Sequence, residues 1–101
     1  MHDTIVAINV TEEAGYARYR AAMTPVLTQY GGRFAHDFRV VETLTTDAPH
    51  PVTRVFTLRL PDPESTDAFF ADPAYQAAKA AHYDQAVEGF TILASQITGE
   101  T

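Results

Sequence analysis

The first part of the chain has the hydrophobic pattern of a strand followed by a helix. The run TIVAINV at residues 4–10 is largely apolar on both alternating faces, which predicts a short central strand. Thr11 is the expected N-cap of the next helix, because the acidic Glu12 and Glu13 would follow in its first turn. Gly31 and Gly32 mark the end of this helix. Its apolar stripe, at helical spacing, consists of Tyr16, Tyr19, Met23, Val26, Leu27 and Tyr30.

Two further extended runs, residues 33–44 and 52–60, are joined by a proline-containing connector and predict a β-hairpin. A turn near Ala48 would pair Glu42 with Arg54 and Asp37 with Arg59. Uninterrupted alternation then predicts one helix-packed face, made of Phe34, His36, Phe38, Val40, Phe56, Leu58 and Leu60. The opposite face would carry Asp37, Arg39, Val41, Thr53, Val55, Thr57 and Arg59.

The second half of the chain repeats an Asp-Pro pair, at Asp62-Pro63 and Asp72-Pro73. Each pair predicts an N-cap followed by proline at the first helical position, so one helix ends and another begins at once. Along the second of these helices Tyr75, Ala78, His82 and Ala86 fall on one stripe. Residues 90–97 predict a last strand.

The order strand, helix, strand, strand, broken helix, strand predicts one ferredoxin-like βαββαβ domain over residues 1–101, an α+β fold with a four-stranded antiparallel sheet. Helices would cover one face of that sheet. The other face would carry apolar groups such as Ile5, Ala7, Val41 and Val55, too apolar to remain in water. We therefore expect a homodimer that buries this face, through Val41, Val55 and Thr57.

Charge and composition exclude several classes of partner. The net charge is −6, with 7 basic and 13 acidic residues, which disfavours nucleic acid and anionic membrane surfaces. The chain has no cysteine and its start lacks the pattern of a secretory signal, so we expect a cytoplasmic protein. The four histidines show no short metal-ligand spacing, and no glycine-rich phosphate loop is present. The sequence thus predicts no metal and no cofactor.

Three residues are candidates for a pocket between the helices and the sheet. His36, at a predicted inward position, would be partly desolvated and could carry a proton near neutral pH. Tyr75 and His82 would share one helical face, with the small Ala78 between them leaving room for a ligand. The alternative is that Tyr75 packs in the core and both histidines have no chemical role.

A second set of candidates lies on the predicted dimer side of the sheet. Asp37, Arg39 and Arg59, joined by Asn9 from the first strand, could hold an anionic ligand because arginine binds carboxylates well. The alternative is a network of salt bridges across a subunit interface.

Several short motifs resemble one known family across residues 5–94. They are Tyr30-Gly31-Gly32-Arg33-Phe34, Arg54-Val55-Phe56 ahead of Leu60-Pro61, and Phe69-Phe70-Ala71-Asp72-Pro73-Ala74-Tyr75-Gln76. Together they resemble the domain of unknown function family DUF1330, within the dimeric α/β-barrel superfamily. This resemblance implies the fold and a dimer but no single reaction.

The sequence departs from the family pattern at two places. Asp37-Phe38-Arg39 stands where relatives often have Arg-Gly-Gly, and His82 stands where they tend to have arginine. If those arginines serve a ligand in relatives, the ligand here differs.

Two hypotheses follow. The first is a homodimer with a pocket for a small aromatic or carbonyl compound, acting as a cofactor-independent isomerase, lyase or monooxygenase. His36 would then carry the proton, and Tyr75 and His82 would position the ligand. The second is a non-catalytic binding or structural dimer.

Overall fold

The computed structural model describes residues 1–99 and has the predicted βαββαβ order. Four antiparallel strands form one sheet in the order β2-β3-β1-β4. The elements are β1 (His2–Val10), α1 (Glu13–Gln29), β2 (Arg33–Arg39), β3 (Arg54–Leu60), α2 (Pro63–Ala71), α3 (Pro73–Ala78), a π-helical turn (Lys79–Tyr83), α4 (Asp84–Ala86) and β4 (Val87–Ile97). The predicted ferredoxin-like α+β fold is confirmed.

Local sequence explains most of the helix boundaries. Helix α1 begins one residue later than predicted, because Glu12 rather than Thr11 is its N-cap and accepts hydrogen bonds from two backbone amides. It ends at Gln29, and the turn that follows includes Gly31, whose φ of +77° favours glycine. Asp62 and Asp72 cap α2 and α3 as predicted, accepting from the amides of Ser65 and Ala74.

The core lies between the helices and one side of the sheet, which we call the helix face. Val6, Ile8 and Val10 of β1 are buried there against Leu58 and Leu60 of β3. The helices close over them with buried side chains of both α1 and the α2–α3 segment, namely Tyr16, Tyr19, Met23, Val26, Leu27, Phe69, Tyr75 and Ala78. The opposite side of the sheet, the outer face, carries Asp3, Ile5, Ala7, Val55, Thr57 and Arg59, as the register of β1 with β3 requires.

Strand β2 contains an irregularity at Ala35 that changes the direction of its side chains. Phe34 lies opposite Leu58, but His36 lies opposite Thr57, so one residue of β2 is unmatched. Such a bulge ends strict alternation, because the extra residue moves every later side chain to the other face. Phe34 is therefore on the helix face, whereas His36 is on the outer face.

The predicted face assignment of β2 is therefore wrong beyond Phe34. His36 and Phe38 lie on the outer face, and Asp37 and Arg39 lie on the helix face. Contacts with α1 agree, since Asp37 pairs with Arg20 at 2.9 Å.

The predicted hairpin register is also wrong. Arg54 lies opposite Arg39, and Arg59 lies opposite Arg33, instead of facing Glu42 and Asp37. Both strands are shorter than predicted and their connector spans residues 40–53, so Val40 and Val41 lie outside the sheet.

The connector between β2 and β3 folds back across part of the outer face. The Nε2 of His50 lies 2.8 Å from the Oγ1 of Thr91 on β4. The His50 ring occupies the space that a side chain at Gly89 would need, so the close approach depends on that glycine. The Thr53 amide donates to the Ile8 carbonyl at 3.0 Å, which attaches the end of the connector to β1.

Candidate ligand cavity

A cavity of about 450 Å³ lies between the helices and the helix face of the sheet. Most of its wall is aromatic or aliphatic. The lining residues come from every major element, namely Thr4, Val6, Tyr16, Tyr19, Met23, Phe34, Phe56, Leu58, Phe70, Tyr75, Gln76, Lys79, Tyr83, Phe90 and Ile92. A volume of several hundred Å³ with a mostly apolar wall is typical of a small-molecule site.

The cavity opens along β4. Phe90 and Ile92 of this strand line it, yet each is 53% exposed. Strand β4 is at the edge of the sheet. A molecule therefore has a route from solvent into the cavity past two apolar side chains.

Four tyrosines, Tyr16, Tyr19, Tyr75 and Tyr83, form one packed group in the wall, which we call the tyrosine cluster. The Tyr19 ring lies 5.8 Å from that of Tyr16, 6.2 Å from that of Tyr75 and 4.9 Å from that of Tyr83, centre to centre. These separations are those of interacting aromatic pairs, so each ring restricts its neighbours.

Three of these tyrosines have hydroxyl protons that are not all used in hydrogen bonds. Tyr19 and Tyr75 share one hydrogen bond at 3.0 Å, in which only one of the two can donate. The buried hydroxyl of Tyr83 has no hydrogen-bond partner within residues 1–99. Among the described residues, three phenolic protons and one internal bond leave two protons without an acceptor. The cluster is thus able to donate hydrogen bonds to a bound molecule.

Burial keeps these hydroxyls protonated. Desolvation is the largest cause that raises the pKa of Tyr19, Tyr75 and Tyr83 above the ordinary value of 10.0. The neighbouring tyrosines raise the pKa of Tyr19 and Tyr83 further. Each phenol is therefore a hydrogen-bond donor rather than a base near neutral pH.

Charged groups are almost absent from the described lining. Within residues 1–99 it includes no carboxylate and no histidine, and its one cation, Lys79, pairs with Asp84 at 2.9 Å. Gln76 uses its side-chain amide to donate to the carbonyl of Phe70. The cavity therefore suits a neutral molecule, because an ion would lose its hydration without gaining a free counter-charge.

The structure brings one of the three predicted pocket residues, Tyr75, to this cavity. His82 lies on the π-helical turn and is not in the lining; Tyr83 lines the cavity instead. A π turn contains about one residue more than an α turn, so it rotates the following side chains. The predicted common stripe of Tyr75 and His82 is therefore wrong.

His36 does not reach the cavity either. The bulge at Ala35 leaves it exposed on the outer face, with its ring stacked on that of Phe38 at 6.0 Å between centres. The predicted convergence of His36, Tyr75 and His82 does not occur.

The predicted charged set on the outer face is also divided. Asn9 and Arg59 are on that face, where Arg59 forms two hydrogen bonds of 2.7 Å with Asp3. This bidentate bond is the largest cause that lowers the pKa of Asp3 below 3.8. Asp37 and Arg39 lie across the sheet, in a charged cleft beside α1.

Sequence reasoning missed Tyr19 and Tyr83 as cavity residues. Tyr19 was assigned to the core, where it does lie, but its hydroxyl partner is 56 residues away along the chain. One local feature could have indicated Tyr83, because it is an aromatic residue directly after His82 in the alanine-rich segment.

Known proteins support the fold and do not assign an activity. The profile of the family described as "Domain of unknown function (DUF1330)" matches residues 4–95. A search of curated proteins finds no match. Within residues 1–99 no three metal-binding side chains come together, and no helix is both long and apolar enough to span a bilayer.

Three solved structures illustrate the similarity. A protein of unknown function from Rhodopseudomonas palustris is 17% identical, with a TM-score of 0.82, covering 99% of this chain and 83% of its own. A putative antibiotic biosynthesis monooxygenase from Deinococcus radiodurans is 13% identical, with a TM-score of 0.60 and coverages of 100% and 95%. A dimeric ferredoxin-like protein of unknown function from Jannaschia is 14% identical, with a TM-score of 0.60 and coverages of 96% and 98%. At these identities the similarity establishes the fold alone.

Proposed function

The chain belongs to the DUF1330 family, and we propose that it binds a small, neutral aromatic molecule that carries a carbonyl group. The observation that carries this proposal is the surplus of phenolic protons in the tyrosine cluster, set in an otherwise apolar cavity. A carbonyl oxygen accepts hydrogen bonds and donates none, which matches this surplus. The ring of the ligand would pack against the aromatic wall.

The size and neutrality of the cavity support the same class of ligand. A volume of about 450 Å³ accommodates a molecule of one or two rings, within the range usual for ligand pockets. A bound carboxylate would compete with Asp84 for Lys79, the one cation of the described lining. A neutral ligand avoids the cost of moving a charge from water into the cavity.

Simple binding is the first form of this proposal, since the described lining supplies donors but no group that would take a proton at neutral pH. The second form is a cofactor-independent isomerase, lyase or monooxygenase. It is favoured by the buried phenols, because donors aimed at a carbonyl stabilise negative charge that develops on its oxygen. The similarity to a putative antibiotic biosynthesis monooxygenase is consistent with this form. His36 has no part in either form, because it lies across the sheet.

A homodimer through the outer face is part of the proposal. Phe38 is 58% exposed there, beside the half-buried Val55. An aromatic side chain exposed on a sheet is a common interface feature. The dimeric neighbour from Jannaschia has the same fold, which supports the assembly for this chain.

The binding proposal is tested with two ligands of similar shape, acetophenone and ethylbenzene. We expect acetophenone to raise the melting temperature more, because its carbonyl oxygen accepts a phenolic hydrogen bond that ethylbenzene cannot form. Tyr83→Phe should reduce this difference in melting temperature, while the effect of ethylbenzene should be unchanged. Tyr30→Phe is the matched control, since the Tyr30 hydroxyl donates to Asp72 at 2.7 Å and lies outside the lining.

The outcomes separate binding from packing. Equal responses to both ligands, or a loss of discrimination in Tyr30→Phe as well, would contradict the role of the cluster. If neither ligand changes the melting temperature, the non-catalytic structural dimer is the better account.

A further inference from the structure

A second cavity, the charged cleft, lies on the other side of Tyr16 from the tyrosine-lined one. It is an open cleft of about 680 Å³ between α1 and the ends of β2 and β3. Five charged side chains line it, namely Glu13, Arg20, Asp37, Arg39 and Arg54. The bulge at Ala35 creates this group, because it turns Asp37 and Arg39 toward α1.

The charges of the cleft do not balance. Arg20 pairs with Asp37 at 2.9 Å, which accounts for one acid and one base. The Oε1 of Glu13 then serves two guanidinium groups, Arg54 at 3.0 Å and Arg39 at 3.8 Å. Three guanidinium groups and two carboxylates leave one positive charge unbalanced, in a protein whose net charge is −6.

Aromatic rings hold two of these arginines in place. The guanidinium carbon of Arg20 lies 3.6 Å from the ring centre of Phe34, and that of Arg54 lies 4.8 Å from the ring centre of Tyr16. The Nε of Arg20 is buried and has no hydrogen-bond partner within residues 1–99. Stacked guanidinium groups keep their planar donors in a fixed direction, which lowers the entropy cost of binding an anion.

We propose that the charged cleft binds a small monocarboxylate between Arg39 and Arg54, in competition with Glu13. The one unbalanced positive charge of the cleft equals in size the single negative charge of a carboxylate. A phosphate dianion carries two negative charges, one more than the cleft would neutralise. A guanidinium group donates hydrogen bonds to both oxygens of a carboxylate. Arg39 and Arg54 together are therefore able to form several hydrogen bonds with one carboxylate. This site goes beyond the proposed function, because it is a separate cavity and takes a charged ligand.

The test is an NMR titration of the side-chain Nε resonances of arginine with benzoate. Benzamide is the matched neutral ligand. We expect benzoate to shift the resonances of Arg39 and Arg54 in a saturable way and benzamide to leave them unchanged.

Two substitutions sharpen the test. Arg39→Gln should weaken benzoate binding at least about tenfold, since it removes a charge-assisted hydrogen bond. Glu13→Gln should strengthen it, because the competing carboxylate is lost. Arg33→Gln is the control, as Arg33 faces Arg59 on the outer face and its loss changes the net charge equally. Arg39 is 77% exposed, so its substitution leaves the core intact.

Several results would overturn the assignment. These are no saturable shift, shifts confined to arginines outside the cleft, equal effects of benzoate and benzamide, or equal losses in Arg39→Gln and Arg33→Gln. Tighter binding of inorganic phosphate at the same arginines would overturn the choice of a carboxylate.

Discussion

The proposed function depends on the hydroxyl groups of three residues, Tyr19, Tyr75 and Tyr83. A buried phenol without an acceptor carries a desolvation cost that an apolar side chain would avoid. Phenylalanine would fill nearly the same volume at each position. The proposed ligand would supply acceptors for the two phenolic protons that have none within residues 1–99.

An alkaline titration tests the protonation of these groups. The pKa of all five tyrosines is raised above 10.0, by burial at four of them and by the bond to Asp72 at Tyr30. The folded protein should form phenolate, seen as ultraviolet absorbance, at higher pH than the urea-unfolded chain. Stability should be intact below pH 10 and decline above it, since the unfolded chain ionises first. Coinciding titration curves would contradict the burial of these hydroxyls.

Single residues were only partly predictable. Tyr75 was identified because a helical stripe with a small neighbour is a local pattern. Its hydroxyl partner, Tyr19, is 56 residues away, and no local pattern states that two distant phenols will meet.

At the scale of elements, two one-residue irregularities decide which side chains line the cavity. The bulge at Ala35 removes His36 from the helix face, and the π-helical turn places Tyr83 in the lining rather than His82. Bulges and π turns are often found at functional sites, where they redirect a side chain at a small cost in regularity. Both histidines of the sequence-based hypothesis are excluded from the cavity in this way.

Paired alanine substitutions test the π-helical turn. Tyr83→Ala should lower the free energy of unfolding by about 2 kcal/mol, because it removes a ring packed against the core. His82→Ala should cost about 0.5 kcal/mol or less, as a substitution outside the core. Both are measured by urea denaturation. The reverse order of effects would mean that His82 faces inward, as regular α-helical spacing requires.

The sequence was informative where structure follows local rules. The Asp-Pro pairs, the glycines after α1 and the order of the elements are all read from neighbouring residues, and the structure confirms them. Side-chain directions predicted from periodicity were wrong where one extra residue interrupts the regular repeat of a strand or a helix. Residues 35 and 79–83 carry no proline or glycine to signal that departure.

For the whole molecule, the outer face is the surface through which we propose that a homodimer forms. The connector at residues 40–53 covers part of that face through His50 and Thr91. The part that carries Phe38 and Val55 remains available to a second copy. Helices occupy the helix face, so both sides of the sheet would be covered only in the dimer.

Light scattering tests the assembly. The wild-type protein should have about twice the 11.1 kDa chain mass, and Phe38→Asp should reduce it to one chain because an unpaired carboxylate would be buried. Ala22→Asp, on the exposed side of α1, adds the same charge and should remain dimeric. A wild-type monomer at micromolar concentration, or a dimer of Phe38→Asp, would contradict this interface.

A crystal structure of the complex with acetophenone would show whether the tyrosine cluster binds a carbonyl group. We expect the ligand to lie in the tyrosine-lined cavity, with its carbonyl oxygen at hydrogen-bond distance, about 2.7–2.8 Å, from a hydroxyl of Tyr19, Tyr75 or Tyr83. A ligand whose carbonyl contacts His36 or His82, with the tyrosine cluster unoccupied, would contradict it.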